Sequence, residues 1–133
     1  MYLGNMDRRF LFLGALFGGL AVAAGAFGAH ALRAHLTPDL LAVFETGARY
    51  QMYHALALMG VALVRAHLPG RLIAGAGWCF VFGILLFSGS LYLLAITGIT
   101  WWGAVTPLGG VAFLMGWGCL GLAAIGTGGE NRN

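Results

Sequence analysis

Four apolar runs, each long enough to cross a bilayer, leave this chain little freedom in what it can become. They run from Phe10 to Leu32, from about Glu45 to Val64, from Leu72 to Ile96 and from Trp102 to Ile125. A transmembrane helix needs about 20 predominantly apolar residues. Only 8% of the 133 residues are charged and 60% are hydrophobic, whereas a soluble domain carries about 25% charged residues. The expected architecture is all-α: an integral membrane four-helix bundle forming a single domain over residues 1–133, with no room for a separate soluble unit.

The net charge of +3 and pI near 9.3 do not point to nucleic acid, because the arginines are scattered and form no basic run. Their placement fits orientation in a membrane instead. With four spans, Arg8, Arg9, Arg65, Arg71 and Arg132 fall on one side, while Arg33 and Arg49 belong to the other. The positive-inside rule then puts both termini in the cytoplasm, with the lipid bilayer as principal partner. Arg8 and Arg9 before an apolar run resemble a twin-arginine signal, but that run exceeds the 7 to 15 residues of a signal core. An uncleaved first helix is expected. Cys79 and Cys119 each lie about 10 Å from the cytoplasmic ends of their spans. They read as small packing residues.

Small residues at Gly14, Gly18, Ala21, Gly25 and Gly28 recur at steps of four and three, which keeps them in one stripe of the first helix. Helices in lipid associate through such close-approach faces. Gly109 and Gly116, with Thr106 on the same face, offer a similar surface on the fourth. Thr37, Pro38 and Asp39 read as a helix start: a hydroxyl cap, a proline at the first position and an acid in the first turn. The second helix therefore begins at Pro38, or else Pro38 to Glu45 is a short interfacial helix broken near Gly47. Pro69-Gly70 and Thr97-Gly98 mark tight connections, and Trp101 and Trp102 suit the membrane interface.

Polarity concentrates in FETGARYQMYHALAL, Phe44 to Leu58. Glu45, Arg49 and Tyr53 form one stripe at steps of four, and Thr46, Tyr50 and His54 the stripe beside it. Ala48, Met52, Ala55 and Met59 fill the remaining arc, the expected lipid face. If hydrocarbon begins near Glu45, Arg49 lies about 6 Å deep and can snorkel, whereas His54, about 13 Å deep, needs partners inside the protein. Candidates from the same half of the membrane are His30, Gln51, Ser88, Ser90, Tyr92 and Thr106, next to Pro107. Two uses of this cluster compete: a clasp of hydrogen bonds that sets helix register at about 1 kcal/mol each, and a pocket for a small ligand or proton, opening outward. No metal or cofactor is expected. His30 and His54 differ by about 13 Å in depth, and no carboxylate accompanies His54. Ser88-Gly89-Ser90 beside a histidine is a weak hydrolase signal.

GAFGAHAL, FETGARYQMYHALAL, FSGSLYLL and TPLGGVAFLMGW together resemble domain-of-unknown-function family 423, small bacterial inner-membrane proteins of the YgdD and YwdK type, to which eukaryotic transmembrane protein 256 is also similar. The resemblance runs from Arg9 to Trp117. It implies a four-helix protein of the bacterial cytoplasmic (inner) membrane and no particular activity. Carried onto this chain, the motif positions are His30, Glu45, Thr46, Tyr50, Gln51, His54, Ser88, Gly89, Ser90, Tyr92, Pro107 and Gly109. Function stays open between a pocket protein and an accessory subunit that packs against itself as a homo-oligomer or joins a larger membrane complex.

Overall fold

The computed structural model describes residues 3–126, and every regular element among them is helical. Arg132 and the tail from Thr127 onward lie outside the described residues. Helix α1 spans Asn5–His30 and is followed by a single 3-10 turn, Leu32–Ala34. Helix α2 spans Pro38–His67. Helix α3, Arg71–Gly83, runs through a π-helical turn, Ile84–Ser88, into α4, Gly89–Thr97, so that the three form one rod. Helix α5, Trp102–Gly126, completes a bundle of four rods. By length and composition, α1 with its following turn, the third rod and α5 are each able to cross a membrane. The polar rod is α2.

Local chemistry sets the boundaries. Thr37 Oγ1 accepts the Leu40 N–H at 3.3 Å and Pro38 opens α2, as a cap followed by a first-turn proline should. The helix is continuous through Gly47, so no separate interfacial helix exists between Pro38 and Glu45. Gly47 is there for space: a Cβ would stand 3.0 Å from the Tyr92 ring. Helix α4 ends on Gly98, whose φ of 70° places it in the left-handed region.

Close backbone approach holds α1 against α2. Gly14, Ala21 and Gly28 are buried, a seven-residue repeat that forms a narrow seam. A Cβ at Gly14 would lie 2.7 Å from Met59 Cγ and 2.9 Å from the Ala55 carbonyl oxygen, and one at Gly28 would press on the Phe44 ring at 3.1 Å. Gly18 is looser, 3.8 Å from the Ala55 methyl. Gly25 meets nothing within 4 Å and takes no part in the seam, contrary to the spacing argument, because only the seven-residue positions Gly14, Ala21 and Gly28 stay on the contact line. On α5, Gly109 rests against the backbone of Phe87 and Gly116 against the Phe80 ring. Gly77 and Gly83, unremarked in the sequence, seat the rings of Phe10 and Phe113. These rings, with Leu58, Val61 and Ile84, form the core.

The expected lipid face of α2 is reversed. Ala48 and Ala55 are buried, with Ala55 and Met59 against Gly14, while Glu45, Arg49, Tyr53 and Leu56 face outward. Lipid is as apolar as leucine, so small side chains that admit a neighbouring backbone go inside regardless of hydropathy.

One ion pair occurs among the described residues. Buried Asp7 accepts the Arg65 Nε–H at 2.8 Å through Oδ1 and the Gly4 N–H at 3.1 Å through Oδ2. Arg65 Nη1 also donates to the Gly70 carbonyl at 3.0 Å. The start of α1, the end of α2 and the next turn are thereby tied together. Asp7→Asn keeps the cap but removes the charge, and should lower stability by about 1–3 kcal/mol. A thermal transition in detergent identical to the parent's would show that the pair contributes nothing.

Candidate functional site

The polar side chains form four separate hydrogen-bonded groups rather than one pooled cluster, three on the inward faces of α2 and one between α4 and α5. Gln51, 5% exposed, spans two neighbours: its Nε2 donates to the Phe17 carbonyl on α1 at 2.8 Å, and its Oε1 accepts the Tyr92 hydroxyl of α4 at 2.7 Å. The Tyr92 ring lies 4.8 Å from that of Phe44. Ser88, at the end of the π turn, donates to the Gly47 carbonyl at 2.7 Å. Ser90 reaches Thr106 of α5 at 2.6 Å and also donates to the Phe87 carbonyl.

His54 forms the fourth group, with partners from α5 and from its own helix. Trp117 Nε1–H donates to His54 Nε2 at 3.1 Å, and His54 Nδ1 is 2.7 Å from the Tyr50 carbonyl oxygen. An indole N–H can only donate, so Nε2 accepts and Nδ1 carries the proton, giving a neutral imidazole with both nitrogens used. The ring stacks on Phe113, with centroids 3.5 Å apart and planes 6° from parallel. His54 bonds neither serine, and each serine hydroxyl is committed to a neighbouring oxygen. This arrangement contains no serine–histidine pair of the kind nucleophilic catalysis needs.

Of the residues marked in the sequence, Gln51 and Tyr92 meet, as do Ser90 and Thr106, while the His54 ring meets only Tyr50 of its own helix among them. His30, Glu45 and Arg49 are exposed and stand outside all four groups. Tyr50 contributes its carbonyl and its ring, 4.9 Å from Phe87. Sequence reasoning missed Phe113 and Trp117. Their spacing of four along α5 was the available signal, but tryptophan deep in a span reads as bulk rather than as a donor.

Beside His54 a groove of about 660 Å³ runs between α2 and α5. His54, Phe87 and Phe113 form its floor; Tyr53, Val111 and Leu114 belong to its walls and are 53%, 54% and 72% exposed. The mouth therefore faces sideways, where hydrocarbon surrounds the bundle, and not along its axis. Tyr50 and Tyr53 also line it, and their hydroxyls bond no described residue. A smaller cavity of about 340 Å³ lies by Gln51 and Tyr92. Pro107 at the groove's upper end and the π turn opposite are both departures from regular α-helix, a feature that recurs at functional sites.

Apolar rods held by buried side-chain hydrogen bonds, with a lateral groove at membrane depth, define a multi-pass helical membrane protein. The family described as "Protein of unknown function (DUF423)" matches residues 24–110, and the chain belongs to it. It is 49% identical to the UPF0382 membrane protein YwdK of Bacillus subtilis (strain 168), over 87% of this chain and 95% of that protein. It is 44% identical to a UPF0382 membrane protein of Staphylococcus epidermidis (strain ATCC 12228 / FDA PCI 1200), over 87% and 94%. With the UPF0382 inner membrane protein YgdD of Escherichia coli (strain K12) the identity is 40%, over 90% and 92%. No solved structure matches. The chain is a multi-pass protein of the bacterial inner membrane.

Proposed function

We propose that the protein binds a lipid-soluble molecule laterally, in the groove between α2 and α5. The observation that carries this reading is the groove itself: about 660 Å³, within the 300–1,000 Å³ usual for ligand sites, floored by aromatic rings and edged by two tyrosine hydroxyls that bond no described residue. An unpaired hydroxyl in hydrocarbon is unfavourable by several kcal/mol. An amphipathic occupant would satisfy it. The Trp117–His54 bond and the Phe113 stack hold the floor rigid, so the clasp and the pocket become one device: hydrogen bonds fix the helices whose separation makes the groove.

The test is a photoactivatable phospholipid, with the reactive group in its acyl chain, incorporated into vesicles with the full-length protein. Adducts are expected to concentrate on Tyr53, Val111 and Leu114, and Val111→Trp should reduce them at least fivefold by filling the space. Adducts spread evenly over the outward faces of all four rods would defeat the proposal. A second reading, an accessory subunit whose groove takes a helix of another chain or of a second copy, draws support from the outward polar stripe Glu45, Arg49 and Tyr53. Co-purification of a stoichiometric partner in mild detergent, with Val111→Trp releasing it, would favour that reading.

Orientation belongs to the same proposal. Four crossings, with both termini cytoplasmic, follow if α2 spans alongside α1, whose length it packs against. Cysteine labelling from outside intact cells should reach Thr37 and Ile99 but not Ala66 or Asn5. Labelling of Asn5 and Ala66 from outside would reverse the orientation.

A further inference from the structure

Deepening the lateral-groove reading, on which it rests, we infer that the occupant is an aminophospholipid, with its phosphate on Arg49, its ammonium toward Glu45 and one acyl chain in the groove. Both side chains are exposed and stand one helical turn apart on the outward face of α2, yet no ion pair joins them. Gly47 faces Tyr92, five residues before the end of α4, which places Arg49 roughly 10 Å below that end of the bundle at 1.5 Å per residue. An arginine at this depth facing hydrocarbon needs an anion, and it snorkels toward the headgroup layer to find one. A guanidinium suits phosphate because its N–H groups pair with two oxygens at once.

The order of charges along the helix supplies the headgroup. Arg49 is the deeper residue and Glu45 stands about 6 Å nearer the membrane surface. In an ethanolamine phospholipid the phosphate is likewise the deeper charge and the ammonium the outer one. A second phosphate-bearing or purely anionic headgroup would bring negative charge against Glu45. Arg33 borders a cavity on the other side of Glu45 but forms no ion pair with it, leaving the carboxylate available.

Dimensions agree with one chain of one leaflet. The α5 wall of the groove runs from Pro107 to Trp117, about 15 Å at the helical rise, and half of the hydrocarbon core is about 15 Å. Tyr53 follows Arg49 on the same stripe and lines the groove, so a lipid held at Arg49 has its chain directed along the α2 wall.

The experiment is native mass spectrometry of the full chain in detergent micelles, titrated separately with dioleoyl phosphatidylethanolamine and dioleoyl phosphatidylglycerol. The parent is expected to retain the ethanolamine lipid at least fivefold more strongly. Arg49→Gln should weaken both about tenfold, Arg49→Lys should recover part of the loss, and Glu45→Gln should abolish the preference between the two. All three positions tested are outward-facing, so folding is not at stake. Loss of binding in Val111→Trp with Arg49→Gln unaffected would overturn the headgroup assignment while leaving the groove reading intact. Parent-like binding in Val111→Trp would remove the groove reading and this inference with it. A stoichiometric dimer that excludes both lipids would also overturn it, in favour of a second copy.

Discussion

Gly109→Leu is expected to leave no bundle that melts cooperatively in detergent. A Cβ there would stand 2.7 Å from Phe87 Cα and closer still to that residue's amide nitrogen. Backbone cannot swing aside as a side chain can, so α5 must move away from the third rod. Even Gly109→Ala should lower stability by about 1–3 kcal/mol, the usual penalty of forcing extra carbon into a packed contact. Gly25→Leu is the control, since that position has nothing within 4 Å and the substitution carries the same gain in helix propensity. Tryptophan-fluorescence melts of the three variants decide the matter. If Gly109→Leu melted like the parent, α5 would not be seated on Phe87.

His54→Ala should have the next largest effect, about 2–4 kcal/mol. It deletes a ring stacked on Phe113, opens a cavity and leaves the Trp117 N–H without its acceptor. His54→Gln offers an acceptor of similar reach and should recover much of the stability. Combined with Trp117→Phe in a double-mutant cycle, His54→Ala should reveal a coupling of about 1 kcal/mol, in the range of interhelical hydrogen bonds in membranes. Zero coupling would mean that the Trp117–His54 bond does not form. The same variants separate a structural histidine from a titrating one. A stable His54→Gln that binds lipid normally makes the imidazole part of the floor, whereas a stable variant that has lost binding or its pH response would mark a proton-carrying role.

Much of the architecture was legible because it depends on local chemistry and on length. Thr37-Pro38 begins a helix wherever it occurs in such a context, Gly98 ends one, and apolar runs of more than 20 residues imply membrane helices without reference to any partner. Gly14 and Gly28 were likewise readable as contact positions, since their spacing alone puts them on one face. The resemblance to the family rested on four ordered motifs and needed no fold at all.

Rotation of each helix about its axis was not legible in this way. In water, hydropathy says which face is inside; in lipid the difference nearly vanishes, and shape decides. Ala48 and Ala55 are buried because a neighbouring backbone fits against them, while Glu45, Arg49 and Tyr53 are left on the outward face. Partner choice had the same origin. Depth counting searched for the partners of His54 among hydroxyls and amides of one half of the membrane, and the donor proved to be an indole further along α5. The π turn at Ile84–Ser88, which aims Ser88 at Gly47 and Phe87 at the groove, has no local signature: an extra residue per turn persists only where contacts on several sides hold it. Helix ends and membrane class thus follow from the order of residues, whereas the groove exists only where four rods, each rotated by the shape of its neighbours, leave α2 and α5 apart.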